Sequence, residues 1–480
     1  MKLAAGLLLA GGLLGLAGAG AALWVLDAQG VTPRTLGPYL QFRASGHNTI
    51  IEESGRLANA VLTRLDRGDP RAALLPPLVI GAQPQAAPAP HGGRTVLVAS
   101  ADEAQRAVRT AAPGDVITFV PGDYRIAGRL YAARPGTEQA PIVVRAPEPG
   151  SVRIAFASAE GFSVSAPYWR FENLDIRGAC RHNACEHAFH VVGNAHHFVA
   201  RNNTIRDFNA HFKINGEKGR FPDHGLLESN TLGNDAPRPT NRAVTPIDLV
   251  GASDWIIRAN LVSDFIKADG DRISYGIFAK GGAQRTVIER NLVVCEQRLR
   301  GQPGQRVGLS FGGGGTGRRY CRDGRCITEH DDGLMRANLV LACSDAGIHL
   351  NSAAGSRLVD NTLLDTAGVQ VRFPESMALM DGNLVDGPIR EDDGGAVRAT
   401  PHNRSTAIGW LYAGRHPQRA LFSDPAAYDL RWRGEPPRRA QDAALPDLCG
   451  KVRGAAAAFG AFDDFAHCLR GDERERPGGS

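Results

Sequence analysis

Asparagine recurs at one place in a repeating phrase down the middle of this chain: FENLDI at Asn173, RNNTI at Asn203, ESNTL at Asn230, RANLV at Asn260, ERNLV at Asn291, RANLV at Asn338, VDNTL at Asn361 and MDGNLV at Asn383. The intervals run from about 22 to 31 residues with one longer gap, the period of a solenoid. Each period holds two or three short runs rich in Val, Ile, Leu and Phe, split by Gly, Asn, Asp or Ala, with no room for a helix between them. The expected fold is all-β, a parallel β-helix. Its coils stack at roughly the 4.8 Å strand spacing, so one asparagine per coil at the same corner forms a ladder of amides bonded to the coils above and below. Because all eight occupy the same point of the repeat, they read as structural.

At 480 residues and 43% hydrophobic content the chain can bury a large core, and an elongated solenoid lifts the usual limit on single-domain size. A net charge of +5 is small for this length and gives no sign of a nucleic-acid partner. Residues 1–27 carry Lys2 and then an apolar run to Leu26, long enough to span a bilayer. It is a cleaved signal peptide or an uncleaved anchor, and Trp24, placed as an interfacial aromatic, favours the anchor. Both readings export the remainder, to the periplasm at the inner membrane or to secretion.

Eight cysteines agree with an oxidising compartment. Cys180 with Cys185, Cys321 with Cys326 and Cys449 with Cys468 suit local disulfides, and Cys295 and Cys343 occupy equivalent places in their repeats. Zinc is the competing reading, since His182 and His187 adjoin the first pair and His330 follows the second.

Residues 28–75 show helical periodicity around Leu40, Ile50, Ile51, Leu57, Val61 and Leu65, which predicts a small membrane-proximal helical region. A Pro and Ala linker follows over 76–93. Residues 94–130 read as a cap helix opened by Asp102 and Glu103, a turn at Pro113-Gly114-Asp115 and a first strand, which together cover the open end of a solenoid. Coils run over 131–393 with an insertion at about 296–332 that holds four successive glycines. Residues 394–480 read as an irregular tail over the C-terminal end.

One strand recurs in register: FHVVG, FKING, PIDLVG, GIFAKG, GLSFGG, GIHLNS and VQVRFP. Alternation turns Ile277, Ala279, Leu309, Phe311, Ile348, Leu350, Val369 and Val371 inward. The outward set is His190, Lys213, Asn215, Asp248, Phe278, Lys280, Ser310, His349, Asn351, Gln370 and Arg372. Lys213, Lys280, His349 and Arg372 in one column make a basic stripe able to supply a base, an acid or a carboxylate clamp, suited to an extended anionic polymer. Asp223 and His224 in the adjoining FPDHG loop suggest a histidine oriented by a carboxylate.

The cap, followed by PGTEQAPIVVRAPEPGSVRIAFASAEGFSVSAPYWRFENLDIRG, resembles the opening of the chondroitinase B and alginate lyase family, and the likeness extends loosely to Asn383. The resemblance implies a right-handed parallel β-helix of the pectate-lyase-like superfamily. It also implies a calcium ion held by carboxylates, a lysine that takes the uronate C5 proton and an arginine that assists the leaving oxygen. Asp345 matches one acid and Arg372 the arginine, while Gly347 stands at the second acid and Ser352 at the lysine. With that set incomplete, Lys280 or His349 takes the role of base and Lys213 or Arg372 that of clamp, with His224 a further catalytic candidate. Asn215, Asp248, Asn351, Gln370 and Asp223 are expected to bind substrate. FPDHG is also similar to the DPHD motif of uronate C5-epimerases. The sequence therefore favours a monomeric, exported lyase acting on an acidic polysaccharide; the alternatives are a non-catalytic glycan-binding envelope protein and a C5-epimerase.

Overall fold

The computed structural model describes residues 20–68, 73–86, 93–313, 316–441 and 445–471. Its body is three parallel sheets visited in rotation. Among the described residues, sheet A has 12 strands from Thr95–Val98 to Ala396–Ala399, sheet B has 10 from Gly122–Ile126 to Leu384–Val385, and sheet C has 10 from Leu130–Ala132 to Ile389–Asp392. Each strand pairs with its equivalent one coil on, as in Phe189↔Phe212↔Ile247↔Ile277↔Leu309↔Ile348↔Val369. The inward residues expected from alternation, from Ile277 and Ala279 to Val369 and Val371, are all fully buried. Early coils stack aromatic rings up the core: Phe162, Phe189 and Phe212 lie 5.0 and 5.1 Å apart and nearly parallel. Such pairs add about 0.5–1.5 kcal/mol each beyond area burial.

The corner between sheets A and B carries the asparagine ladder, one residue out of step with the expectation at one end and one coil longer at the other. Each Oδ1 from Asn203 to Asn403 accepts the backbone N–H of the preceding coil at 2.9–3.1 Å. Leu174 fills the first slot. Asn173 instead stands beside Asn202, whose Nδ2 it accepts at 2.9 Å, and both have left-handed backbone conformations. Ser229, Ala259, Arg290, Ala337, Asp360 and Gly382 adopt the same conformation immediately before the ladder asparagines from Asn230 to Asn383. This bend turns the chain from sheet A into sheet B.

Helix α3 (Ala101–Thr110) closes the N-terminal end. Ser100 Oγ accepts the Glu103 N–H, the Glu103 carboxylate accepts the Ala99 N–H, and Ala104 and Val108 are buried over the first coil.

The chain before the cap does not stand apart from the solenoid. Helices α1 (Pro33–Ala44) and α2 (Thr49–Arg67) form a hairpin against the last coils. Arg34 is buried between Asp66 and Asp365 and donates to the Cys343 carbonyl at 2.7 Å, and Arg67 pairs with Glu296 and Asp365. Of the segment read as a linker, residues 76–86 lie along sheet B: the Gly81 N–H donates to Ala259 O, Ala82 N–H to Thr231 Oγ1 and Gln83 N–H to Asn202 Oδ1. The C-terminal segment joins it there rather than only covering the end. Phe422, Leu430, Phe462 and Phe465 pack with Leu78 and Ile80 on the outward residues Leu292, Val294, Leu339 and Leu341 of sheet B.

All eight cysteines are in the four expected disulfides, 180–185, 295–343, 321–326 and 449–468. Their sulfurs are therefore not zinc ligands, and His330 is buried against the Phe311 ring with Nε2 on Thr286 Oγ1. Among the described residues no helix is long and apolar enough to cross a membrane. Residues 1–19 of the expected signal or anchor lie outside the described residues.

Candidate functional site on sheet C

The outward side chains of sheet C form two rows. Lys213, Asp248, Phe278, Ser310, His349 and Gln370 stand in register in one; Asn215, Val250 and Lys280, then Asn351 and Arg372, stand in the next. The single column expected for Lys213, Lys280, His349 and Arg372 is thus split, because residues two apart on a strand both point outward. Asp248, Phe278, Ser310, His349 and Asn351 are buried although they face outward. Loops after sheets B and C and the N-terminal segment build walls over them.

Lys213, Asp248 and Lys280 make the first cluster. Lys213 Nζ lies 2.6 Å from Asp248 Oδ2, while Asp248 Oδ1 is buried without a hydrogen-bond partner. Lys280 Nζ sits 4.7 Å from the centre of the Phe278 ring and forms no ion pair among the described residues. Burial pulls the Lys280 pKa below the ordinary lysine value; Asp248 and Glu329 oppose that shift and the Lys213 charge adds to it. The glycine run explains how a loop approaches so closely: a Cβ at Gly312 (φ +69°) would lie 1.8 Å from the Asn351 carbonyl, and one at Gly313 would meet Phe278 and Lys280. Glu329 holds that loop down, accepting from the Gly281 N–H at 2.8 Å and from Thr316 Oγ1 at 2.9 Å.

A second cluster lies two to four strands along, around a cavity of about 370 Å³. Tyr275, Asp345, His349, Gln370, Arg372 and Arg390 line it, with Arg390 in register beside Gln370 on the next strand, and Gly30 and Val31 also border it. Arg390 donates to Gly30 O at 2.7 Å and Tyr412 to Val31 O at 3.1 Å. Burial, with Arg372 and Arg390 nearby, pushes the His349 pKa down to about 4, so its imidazole is neutral at physiological pH. Burial raises the Asp345 carboxyl. Arg372 pairs with Asp393 at 2.6 Å and stacks on Phe373, and Gln370 donates to Asp392 at 2.6 Å. Asn351 stands beside Arg372 in the second row.

Asp223 and His224 do not act as a pair. Arg322 holds Asp223 by two hydrogen bonds of 2.7 and 2.9 Å, which fastens the 316–329 loop beside the groove. His224, in a left-handed conformation, turns to the corner before sheet A, where it stacks on His197 with Asp254 4.0 Å away. Adjacent residues across such a bend point apart, and sequence proximity could not show it.

The resemblance's calcium set does not fit this geometry. Gly347 faces the core, where a Cβ would lie 2.5 Å from Leu363, so position 347 cannot present a carboxylate. Asp345 is left beside Arg372 and Arg390, a cationic setting for a divalent ion. Ser352, at the lysine position, sits at a corner with φ +53° and its carbonyl accepts the Glu329 N–H at 2.7 Å. Tyr275, Glu329 and Arg390 were not expected here. Tyr275 precedes the recognisable GIFAKG strand, Glu329 arrives from the insertion and Arg390 from the last coil, so only register unites them.

No family model and no curated protein matches the chain. Among solved structures, pectate lyase Pel9A is similar at a TM-score of 0.50 and 13% identity, covering 78% of this chain and 97% of that one. An alginate lyase from Paenibacillus sp. str. FPU-7 follows at 0.40 and 15%, covering 64% and 99%, and the PL6 family alginate lyase AlyGC at 0.39 and 12%, covering 79% and 58%. The first likeness, with the three parallel sheets, establishes the architecture: the chain is a right-handed parallel β-helix of the pectate-lyase-like fold.

Proposed function

We propose that this protein binds a uronate-containing polysaccharide along sheet C and cleaves it by β-elimination, with Lys280 as the base. The observation that carries this reading is the Lys280 amine: half-buried over the Phe278 ring, without an ion pair among the described residues, and with its pKa pulled below the ordinary lysine value. Beside it, Lys213 offers positive charge to a uronate carboxylate, and the unpartnered Asp248 Oδ1 is an acceptor for a sugar hydroxyl. In the reaction Lys280 Nζ takes the proton from C5, the electron pair forms the C4=C5 bond, the C4–O4 bond breaks, and O4 takes up the proton from Lys280. Stabilising the carboxylate as charge builds on C5 is the task of Lys213. The cationic pocket of His349, Arg372 and Arg390 supplies a second place for an acidic sugar farther along the chain.

The likeness to pectate lyase Pel9A supports a polysaccharide-binding fold, and four disulfides support an exported protein. The helical hairpin leaves Phe42, Ile50 and Leu57 exposed, as is Trp24 ahead of it, which supports a membrane-surface position for this end of the molecule, with the apolar run of residues 1–27 as the anchor or signal.

The test is ultraviolet absorbance of the unsaturated product, using pectate, alginate and chondroitin with and without calcium. Product formation that disappears in Lys280→Ala supports the reading. Binding of these polymers without product, even after long incubation, replaces it with the glycan-binding alternative. Exchange of deuterium into C5 without cleavage replaces it with the epimerase.

A further inference from the structure

A separate group of ligating side chains lies on sheet C upstream of Lys213. Glu160 opens the strand Glu160–Val164, and His187 and His190 belong to the next strand, His187–Val192, with His187 directly opposite Glu160. One ligand atom from each of the three lies within 4.8 Å of the others. His190 Nδ1 is 3.0 Å from Glu160 Oε1, and His187 Nδ1 is 3.9 Å from the same oxygen.

The hydrogen bonds around this group leave its centre unresolved by the protein's own donors. Asn215 Nδ2 donates to the Gly216 carbonyl, which turns Asn215 Oδ1 toward His190 Nε2 at 3.0 Å. His190 Nε2 must then carry the hydrogen, so in the neutral imidazole Nδ1 presents a lone pair. That lone pair faces a carboxylate oxygen 3.0 Å away, a contact that either a second ring proton or a bound cation satisfies. His187 Nδ1, buried and without a hydrogen-bond partner, points to the same need. Arg129 occupies the other oxygen, Oε2, at 2.7 Å and leaves Oε1 facing the imidazoles.

We infer that Glu160, His187 and His190 form a binding site for a divalent transition metal of the zinc class. Two imidazole nitrogens and one carboxylate oxygen are the donor set such ions prefer, and Asn215 on His190 Nε2 is the outer hydrogen bond that fixes a ligating ring. Three protein ligands leave a position for water or a sugar oxygen. Because His190 pairs in register with Lys213, the ion adds its charge one strand from the proposed reaction centre. The site stands whether or not the protein is a lyase.

The test uses full-length, tag-free protein stripped with a chelator and dialysed. Zinc is titrated by calorimetry and by competition with a chromophoric chelator, and cobalt(II) is followed by its visible spectrum. One zinc per chain is expected, with the cobalt spectrum lost in His187→Ala and in His190→Ala, unchanged in His224→Ala, and with affinity lowered about tenfold in Asn215→Ala. Zinc is also expected to raise the melting temperature of the wild type and not of the histidine variants. Absence of stoichiometric binding to the wild type overturns the inference. So does equal affinity in Asn215→Ala and in a folded His187→Ala/His190→Ala double variant, with folding judged by circular dichroism.

Discussion

Asn291→Ala tests the corner that defines the fold. Asn291 Oδ1 accepts the Asn260 N–H and Asn260 Nδ2, both at 3.0 Å, and its Nδ2 donates to Ile257 O at 2.8 Å and Asn338 Oδ1 at 3.0 Å. Truncation does not orphan all four partners. Asn260 Nδ2 keeps the carbonyls of Leu227 and Arg258, and Asn338 Oδ1 keeps the backbone N–H of residue 291. What remains is one buried N–H without its acceptor and one carbonyl without its amide donor. The Ile257 carbonyl keeps its place in the parallel ladder, so at about 1–3 kcal/mol for the one buried unsatisfied N–H the loss comes to roughly 2 kcal/mol. Urea denaturation followed by circular dichroism measures it, and amide exchange at residues 257–261 localises it to the coil. A loss below about 1 kcal/mol, with unchanged exchange, would refute the argument and leave the register to the inward side chains alone.

Lys280→Arg keeps the positive charge but is expected to give no unsaturated product, because a guanidinium does not deprotonate; in the wild type the rate should rise with pH through a midpoint below that of an ordinary lysine. His211 and His330 are fully buried with their pKa values pushed down to about 3. The unfolded chain protonates both below about pH 6.5 while the native state does not until about 3, so stability is complete above 6.5 and falls through that window, by roughly 2 kcal/mol per histidine at pH 5. The urea midpoint compared at pH 7 and 5 should show this, together with a comparable share from His349, and His330→Gln should remove about 2 kcal/mol of the change. Loss of the Cys295–Cys343 disulfide, with a separation of 48 residues, should cost roughly 4 kcal/mol against about 2 for Cys321–Cys326, with a separation of 5, in calorimetric melting of the paired Cys→Ala variants.

The coil was readable because its signals are local and repeated. Each ladder asparagine from Asn203 to Asn383 follows a left-handed bend, and period-2 alternation assigns Ile277 and Leu309 to the core. Asn173 misled because FENLDI places its asparagine at the bend itself, with Leu174 in the ladder slot, and Asn403 was missed because no strand-like phrase surrounds it. Within the candidate site, Lys213, Asp248 and Lys280 were legible as outward residues of one repeated strand. The enclosure of the site was not, since Gly313 reaches Lys280 from a loop and Gly30 and Val31 border the cavity at His349 from far away in sequence. Helical periodicity marked α1 and α2, but nothing local tells Arg34 that its partner is Asp365.

Residues 78–79 and 468–470, about 390 positions apart, are sewn together. The Val79 N–H donates to Cys468 O, Leu78 bridges to Leu469, and Arg470 Nε donates to Leu78 O at 2.9 Å. A repeat array ordinarily folds one neighbour at a time as it emerges from the ribosome. Here the N-terminal hairpin has no seat until the coils that carry Cys343 and Asp365 have formed, so the first helices made wait for about 300 further residues before they can dock. The docked hairpin therefore reports that the coils through Asp365 are in place.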